Sequence, residues 1–211
     1  FPLLCLIASG GHTDLILMEN HGNFLLLART RDDAAGEAFD KAAKVLGLGF
    51  PGGPAIQKVS ALKTHVDRKF PRPRFNDSLD FSFSGLKTAL LRRAEERGWY
   101  PPNQGNDIDS VQVANMAAAY QEAIVDCLVD RVVRAVGLYE VNGVVVGGGV
   151  AANKLLREEL MRQCPVDVVV PEPFLCTDNG AMIGAAGWFH LRKRKKRQWD
   201  LDVIPRLKLG R

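Results

Sequence analysis

The sequence predicts an α/β protein, and three observations carry that reading. Three short β-prone apolar runs follow one another near the start, separated only by turns rich in Gly and Asn, which is the pattern of an antiparallel meander. From residue 34 onward segments of helical period take over. Two later β-prone runs, at 143–146 and 166–170, then alternate with helical segments, and the first of them turns through Gly147, Gly148 and Gly149.

The meander takes strands at 3–8, 14–18 and 24–28, joined by Ser9-Gly10-Gly11-His12-Thr13 and Asn20-His21-Gly22-Asn23. Asp33 is placed to cap a helix over 34–46. Its apolar stripe is Ala35, Ala38, Phe39, Ala42 and Leu46, Gly47 closes it, and Glu37, Asp40, Lys41 and Lys44 share the opposite face. Pro51-Gly52-Gly53-Pro54 breaks the pattern ahead of a helix over 55–62, and a loop through Phe70-Pro71-Arg72-Pro73-Arg74-Phe75 follows. An irregular stretch of that length inside a compact fold is functional or mobile. Ser84 is placed to cap a helix over 85–96, and a polar linker covers 101–109. The longest helix, over 110–136, puts Val113, Met116, Ala117, Tyr120, Ile124, Cys127, Leu128 and Val132 on one face and spans about 40 Å at the α-helical rise. A strand at 143–146, a helix over 151–162, a strand at 166–170 and a helix over 179–191 complete the order.

Three antiparallel strands, then helix, strand, helix, strand, helix, is the order of one lobe of the actin, Hsp70 and sugar-kinase (ASKHA) class of ATPase folds, in which two lobes close on a nucleotide. The chain accordingly divides into one such lobe over 1–191, with a helical insertion over about 50–140, and a basic tail over 192–211. The chain opens on Phe1-Pro2 and a β-prone run without a methionine, so it is expected to be a piece of something longer, with its N-terminal lobe absent.

Composition limits the classes. With 211 residues, 46% hydrophobic and 25% charged, the chain has the make-up of an ordinary globular protein. No apolar run reaches the roughly 18 residues that cross a bilayer, and no signal peptide opens it, so no membrane partner and a cytoplasmic location, organellar in a eukaryote, are expected. Cys5, Cys127, Cys164 and Cys176 lie far apart with no CxxC pair, which reads as reduced thiols rather than a disulfide framework or a zinc knuckle. The net charge of +4 is unevenly placed, with Arg192-Lys193-Arg194-Lys195-Lys196-Arg197 near the end. Such a run suits nucleic-acid phosphates or, more simply, a helix C-terminus.

Four candidate sites each carry two readings. The Gly147 to Gly149 turn lets backbone approach a ligand closely and opens a helix whose free N–H groups suit an anion; otherwise it is a tight strand-to-helix connection. It is not GxGxxG, so a dinucleotide fingerprint is not indicated. Asn153 is placed to aim its amide at the same ligand. Ser9-Gly10-Gly11-His12-Thr13 turns amides toward an anion or is a plain Gly-Gly hairpin. Asp178 or Thr177 caps the last helix, or Asp178 holds a cation. Asp80-Phe81-Ser82-Phe83-Ser84-Gly85-Leu86-Lys87 is a capped helix start or a substrate loop.

Taken together, Ser9-Gly10-Gly11-His12-Thr13, Asp32-Asp33-Ala34-Ala35-Gly36-Glu37-Ala38-Phe39-Asp40-Lys41 with Pro51-Gly52-Gly53-Pro54, Phe81 to Lys87, and Gly147 to Asn153 with Cys176-Thr177-Asp178-Asn179 closely resemble the tRNA N6-adenosine threonylcarbamoyltransferase family, once described as O-sialoglycoprotein endopeptidases. The resemblance covers nearly the whole chain from Leu3 to Gly187. It implies an acyltransferase that moves the threonylcarbamoyl group from threonylcarbamoyl-AMP to N6 of the adenosine beside the anticodon in tRNA. It implies adenylate contacts at Ile7, Ala8, Ser9, Gly10, Gly11, Asp40, Gly53 and Asn153. Asp178 would be one ligand of a single divalent metal, iron in bacterial members by analogy, with zinc the alternative. A paralogous partner subunit and a small ATPase subunit are expected from the family. The mixed anhydride already carries a good leaving group, so no residue is assigned as nucleophile or general base, and the enzyme's share is placement and charge stabilisation.

The family's remaining metal ligands are two histidines of an HxxxH helix in the N-terminal lobe, and His12, His21, His65 and His190 contain no such pair. The alternative reading is a non-catalytic paralogue or scaffold subunit of the same complex, against which the retained Asp178, Asn153 and Phe81 to Gly85 speak. The metallopeptidase reading needs a motif such as HExxH, which the sequence lacks.

Overall fold

The computed structural model describes residues 1–65, 69–73, 75–101, 109–193 and 202. Most of the expected polar linker, Arg74 of the Pro-rich loop, and nearly all of the basic tail therefore lie outside the described residues.

Strands β1 (Leu3–Ala8), β2 (Thr13–Asn20) and β3 (Asn23–Arg29) form the expected meander. After α1 (Ala35–Val45), α2 (Gly52–Ser60), α3 (Ser84–Glu96) and α4 (Ser110–Leu138), strand β4 (Val144–Gly147) pairs parallel to β1, and β5 (Val168–Val169) parallel to β4. The sheet order is β3-β2-β1-β4-β5, so β1 and β4 are central and carry the site at their C-terminal ends. Helices α5 (Lys154–Gln163) and α6 (Gly180–Lys193) complete the chain. β5 is shorter than the expected 166–170: the chain is still in a bend at Val166, and Pro171 offers no N–H to extend the ladder beyond Val169.

Register places Leu4 and Leu6 of β1, Leu15 of β2, Ala28 of β3, and Val144 and Val146 of β4 on one face, and all are buried. Helices α1 and α4 cover it. The α1 stripe of Ala35, Ala38, Phe39 and Ala42 is at most 1% exposed; burying one Phe stabilises by about 1.5–3 kcal/mol. Tyr120 ties α4 to α1 by donating its hydroxyl to the Ala38 carbonyl at 3.2 Å.

Three helix starts differ from expectation, and each is fixed by a partner distant in sequence. Asp33 does not cap α1: the extended residue is Ala34, the Ala35 N–H donates to Thr13 Oγ1 at 2.9 Å, and Asp33 instead pairs with Lys41. Helix α2 begins at Gly52 rather than 55, since the Gly52 N–H donates to Asp40 Oδ1 at 2.7 Å and Pro54 lies in the first turn, where its missing N–H is harmless. Ser84 is the first residue of α3 rather than its cap; the cap is the Asp32 carboxylate, which accepts from the Phe83 N–H (2.7 Å), the Ser84 N–H (3.3 Å) and both Ser hydroxyls, Ser82 and Ser84. Burial pushes the Asp32 carboxyl up, but these hydrogen bonds outweigh it and hold it below the usual carboxylate range.

Candidate adenylate site

At the C-terminal end of β1 the chain turns tightly. The Ser9 N–H donates to the His12 carbonyl at 2.8 Å, and Ser9 Oγ accepts from the N–H groups of Gly11 (3.4 Å) and His12 (3.1 Å). The start of α1 presses on this loop: the Gly36 N–H donates to the Ser9 carbonyl at 3.0 Å, and a Cβ on Gly36 would lie 2.7 Å from that oxygen. A Cβ on Gly52 would likewise fall 2.5 Å from the Asp40 Cα. Glycine at both positions is what lets α1, α2 and the hairpin loop converge.

The glycine turn after β4 divides its labour. Gly148 has φ 89° and ψ 163°, a region open essentially to Gly alone, and a Cβ there would sit 2.3 Å from the Ala8 carbonyl oxygen. It locks the turn onto β1. Gly149, in contrast, has open space where its Cβ would be. The turn does not lead straight into an α-helix from Ala151, as expected. A 3-10 turn over Gly149–Ala152 intervenes, and α5 starts at Lys154. Asn153 is its cap, accepting from the Leu156 N–H at 3.1 Å, while its amide donates to Gln121 Oε1 at 2.9 Å. The Asn153 amide is thus held within the protein rather than hanging free toward a ligand.

Between these elements lies a cavity of about 310 Å³ bordered by Gly10, Gly36, Phe39, Asp40, Pro51, Gly53, Pro54, Gln57, Gly149, Val150, Ala152, Asn153 and Thr177. Of the expected contacts, Gly10, Asp40, Gly53 and Asn153 border it. Ile7, Ala8, Ser9 and Gly11 stand behind or beside it: Ala8 is buried under Gly148, Ile7 approaches Gly147, and Ser9 shapes the loop. Asp178 is exposed, one residue beyond Thr177. Neither Thr177 nor Asp178 caps α6. Asn179 does, accepting from the Met182 N–H at 3.0 Å. Sequence reasoning missed Gln57, Pro51, Pro54 and Thr177 as wall residues. Gln57 is held in place, its Oε1 accepting from the Lys154 N–H at 2.7 Å.

The walls combine an apolar surface, from Phe39, the two prolines and Val150, with one carboxylate, Asp40, and amide side chains. That suits a flat heteroaromatic ring with a polyhydroxylated appendage. A second cavity, about 350 Å³, is larger but chemically occupied: Arg72 is bonded to Asp126 and the Phe70 carbonyl, and Arg131 to Asp130 and to the carbonyls of Asp80 and Pro73. Among the described residues no group of three His, Cys, Asp or Glu could hold a metal ion, so Asp178 has no companions there for such a site. No helix among the described residues is long and apolar enough to cross a membrane, and all four cysteines are free.

The fold is shared with two solved structures. Full-length HypF in the phosphate- and nucleotide-bound form superposes with a TM-score of 0.64 at 13% identity, over 92% of this chain and 34% of that one. T. kodakarensis HypF does so with 0.64 at 14%, over 90% and 34%. At such identities the likeness concerns the fold alone. Sequence relatives are much nearer. A tRNA N6-adenosine threonylcarbamoyltransferase of Clostridium botulinum (strain Hall) is 46% identical over 213 residues, and one of Thermomicrobium roseum is 47% identical over 224. Each alignment takes in 99% of this chain, which spans 61% and 60% of the length of these curated relatives. The family model for tRNA N6-adenosine threonylcarbamoyltransferase matches residues 1–185. With the motif blocks gathered around one cavity and this identity running from end to end, the chain belongs to the tRNA N6-adenosine threonylcarbamoyltransferase family.

Proposed function

We propose that this chain is the adenylate-binding part of an enzyme that transfers the threonylcarbamoyl group from threonylcarbamoyl-AMP to N6 of the adenosine next to the anticodon in tRNA. The observation that carries the reading is the cavity at the ends of β1 and β4, where Gly10, Gly53 and Gly149 give backbone access beside Asp40 in a chain of this family. The adenine would lie against Phe39, the prolines and Val150, and the Asp40 carboxylate would accept from the ribose hydroxyls. Asp40 already takes the Gly52 N–H on Oδ1, which fixes its orientation before any ligand arrives.

The reaction is an acyl transfer: the N6 amine of adenosine attacks the carbamoyl carbon of the mixed anhydride, the bond from that carbon to the phosphate oxygen breaks, AMP leaves, and the amine gives up a proton. The chain's residues hold the adenylate so that the leaving phosphate and the carbonyl face the acceptor, which is catalysis by placement. The wider expectations belong to the whole protein: a divalent metal, iron or zinc, with Asp178 as one ligand; a paralogous partner subunit; a small ATPase subunit; and a cytoplasmic setting. One carboxylate does not hold such an ion, so the other ligands would come from outside this chain. The retained Asp40 wall supports an enzyme over the scaffold reading, since a scaffold needs no ligand cavity.

The test is binding of AMP to the chain by titration calorimetry, alongside Asp40→Ala. Removing a charged hydrogen-bond acceptor costs about 1.5–3 kcal/mol, or roughly 10- to 100-fold in affinity. Equal affinity in parent and variant overturns the placement of the ribose.

A further inference from the structure

Thr177 is the part of the cavity wall with the least support of its own. The segment 171–179 leaves the short strand β5 and runs to α6, and over 172–178 every residue is exposed except Cys176, which is buried. Its internal hydrogen bonds are all local. The Leu175 N–H donates to the Glu172 carbonyl at 2.8 Å, the Cys176 N–H to the Pro173 carbonyl at 3.2 Å, and the Asn179 amide to the Leu175 and Thr177 carbonyls at 3.2 and 2.9 Å. Such bonds shape a loop without fastening it to the rest of the fold. A segment with one buried side chain and local bonds alone opens at low cost.

The fastening comes from Arg157, half-buried in the first turn of α5. Its Nε donates to the Ala151 carbonyl at 2.7 Å, and its Nη2 donates to the Pro171 carbonyl at 2.8 Å and to Cys176 Sγ at 3.2 Å. Among the described residues these are the hydrogen bonds that tie 171–177 to the body of the fold. One guanidinium therefore grips both segments that meet at the cavity. Ala151 sits between the wall residues Val150 and Ala152, and Cys176 directly precedes the wall residue Thr177. The planar guanidinium sends its donors out in fixed, diverging directions, whereas a lysine ammonium is a single point that cannot hold both segments at once. Arg157 does not itself border the cavity, so it reaches a ligand only through what it holds.

We propose that Arg157 is a positioning residue for the adenylate cavity, clamping Thr177 against the glycine turn so that the two walls keep their spacing. The inference rests on the reading of that cavity as the adenylate site. Removing the guanidinium leaves 171–177 attached through Cys176 packing alone, so the wall at Thr177 opens while the sheet and α4 stay folded. Cys176 reports the opening directly, because it is buried beneath the clamp, and Cys127, buried on α4, reports any unfolding of the body.

The experiment reads two quantities in the parent chain, in Arg157→Ala and in Arg157→Lys: iodoacetamide labelling of each cysteine by peptide mass spectrometry, and AMP affinity by titration calorimetry. In Arg157→Ala the expected result is Cys176 labelled at least about tenfold faster than in the parent with Cys127 still protected, and AMP bound roughly tenfold more weakly. Guanidinium at about 50 mM, too little to denature, should fill the vacated slot and restore both readouts. A variant that is merely unstable would be unfolded further by the same addition. Arg157→Lys keeps the charge and the packing of the stem, and it answers the question should the alanine variant not fold; it too should release Cys176. Cys176 as protected in both variants as in the parent overturns the proposal. So do Cys127 and Cys176 labelled in step, which is general unfolding, and a released Cys176 with AMP affinity unchanged. A parent chain that binds no AMP sinks the adenylate reading instead, and Cys176 labelling then decides by itself whether Arg157 holds the segment.

Discussion

Gly148→Ala is the sharpest perturbation of the site's scaffold. The residue sits at φ 89°, ψ 163°, and holding an alanine there costs about 1–3 kcal/mol in backbone strain. The new Cβ would lie 2.3 Å from the Ala8 carbonyl oxygen and 2.8 Å from its carbon. Ala8 closes β1, a central strand with β2 on one side and β4 on the other, so relief requires moving sheet backbone by about an ångström, an overpacking worth another 1–3 kcal/mol or so. The expected loss is about 3–5 kcal/mol, or roughly 10 °C in melting temperature for a chain of this size. Gly149→Ala is the matched control, with open space at its Cβ and no positive φ. It should leave stability within about 1 kcal/mol of the parent while weakening AMP binding, because Gly149 borders the cavity. Urea unfolding of the two variants decides the matter. If Gly148→Ala lies within about 1 kcal/mol of the parent, the division of labour in the glycine turn is wrong.

Asp32→Asn should cost about 1 kcal/mol near neutral pH through loss of the α3 cap and should flatten the acid limb of stability. The sign follows from its lowered carboxyl: the stabilisation is complete above the ordinary carboxylate range near pH 4 and is lost as pH falls through the folded-state value. Urea midpoints from pH 3 to 7, on the order of five points, read this out, and an unchanged slope refutes it; Asp80, also held low because Arg31, the Arg29 N–H and the Ser78 side chain outweigh its burial, keeps a residual slope in the variant. Burial pushes the Cys127 thiol up to about 11, so iodoacetamide at neutral pH should label Cys127 only once the chain is unfolded. Peptide mass spectrometry checks this, and labelling of the native chain at the rate of a free thiol contradicts the burial.

Strand β1 could be read directly because one face is buried at period two, through Leu4, Leu6 and Ala8, and α4 because it is long and mostly apolar, being buried around most of its circumference with Met116, Tyr120, Ile124 and Leu128 among its buried residues. The starts of α1, α2 and α3 could not, because their caps are made across the fold. Thr13 serves Ala35, Asp40 serves Gly52, and Asp32 serves Ser82 to Ser84 some fifty residues on. A local rule looks for the cap beside the helix and so chose Asp33 and Ser84. The site shows the same limit. Glycines announce close approach, but only the register of β4 against β1 tells that Gly148 faces Ala8 and Gly149 the cavity. Phe39 follows the core stripe of α1 and is also a cavity wall, Thr177 reads in the sequence as a helix cap, and Gln57 carries no motif at all.

The long-range caps also bear on function. The Asp32-Asp33 block and the Phe81 to Lys87 block, which look like separate motifs in the sequence, are one hydrogen-bonded unit through the Asp32 carboxylate. That unit fixes the loop leading into α1, and α1 in turn presses Gly36 on Ser9 and presents Asp40 to Gly52. A change at Ser82 or Ser84 would therefore reach the cavity beside Asp40 through the placement of α1.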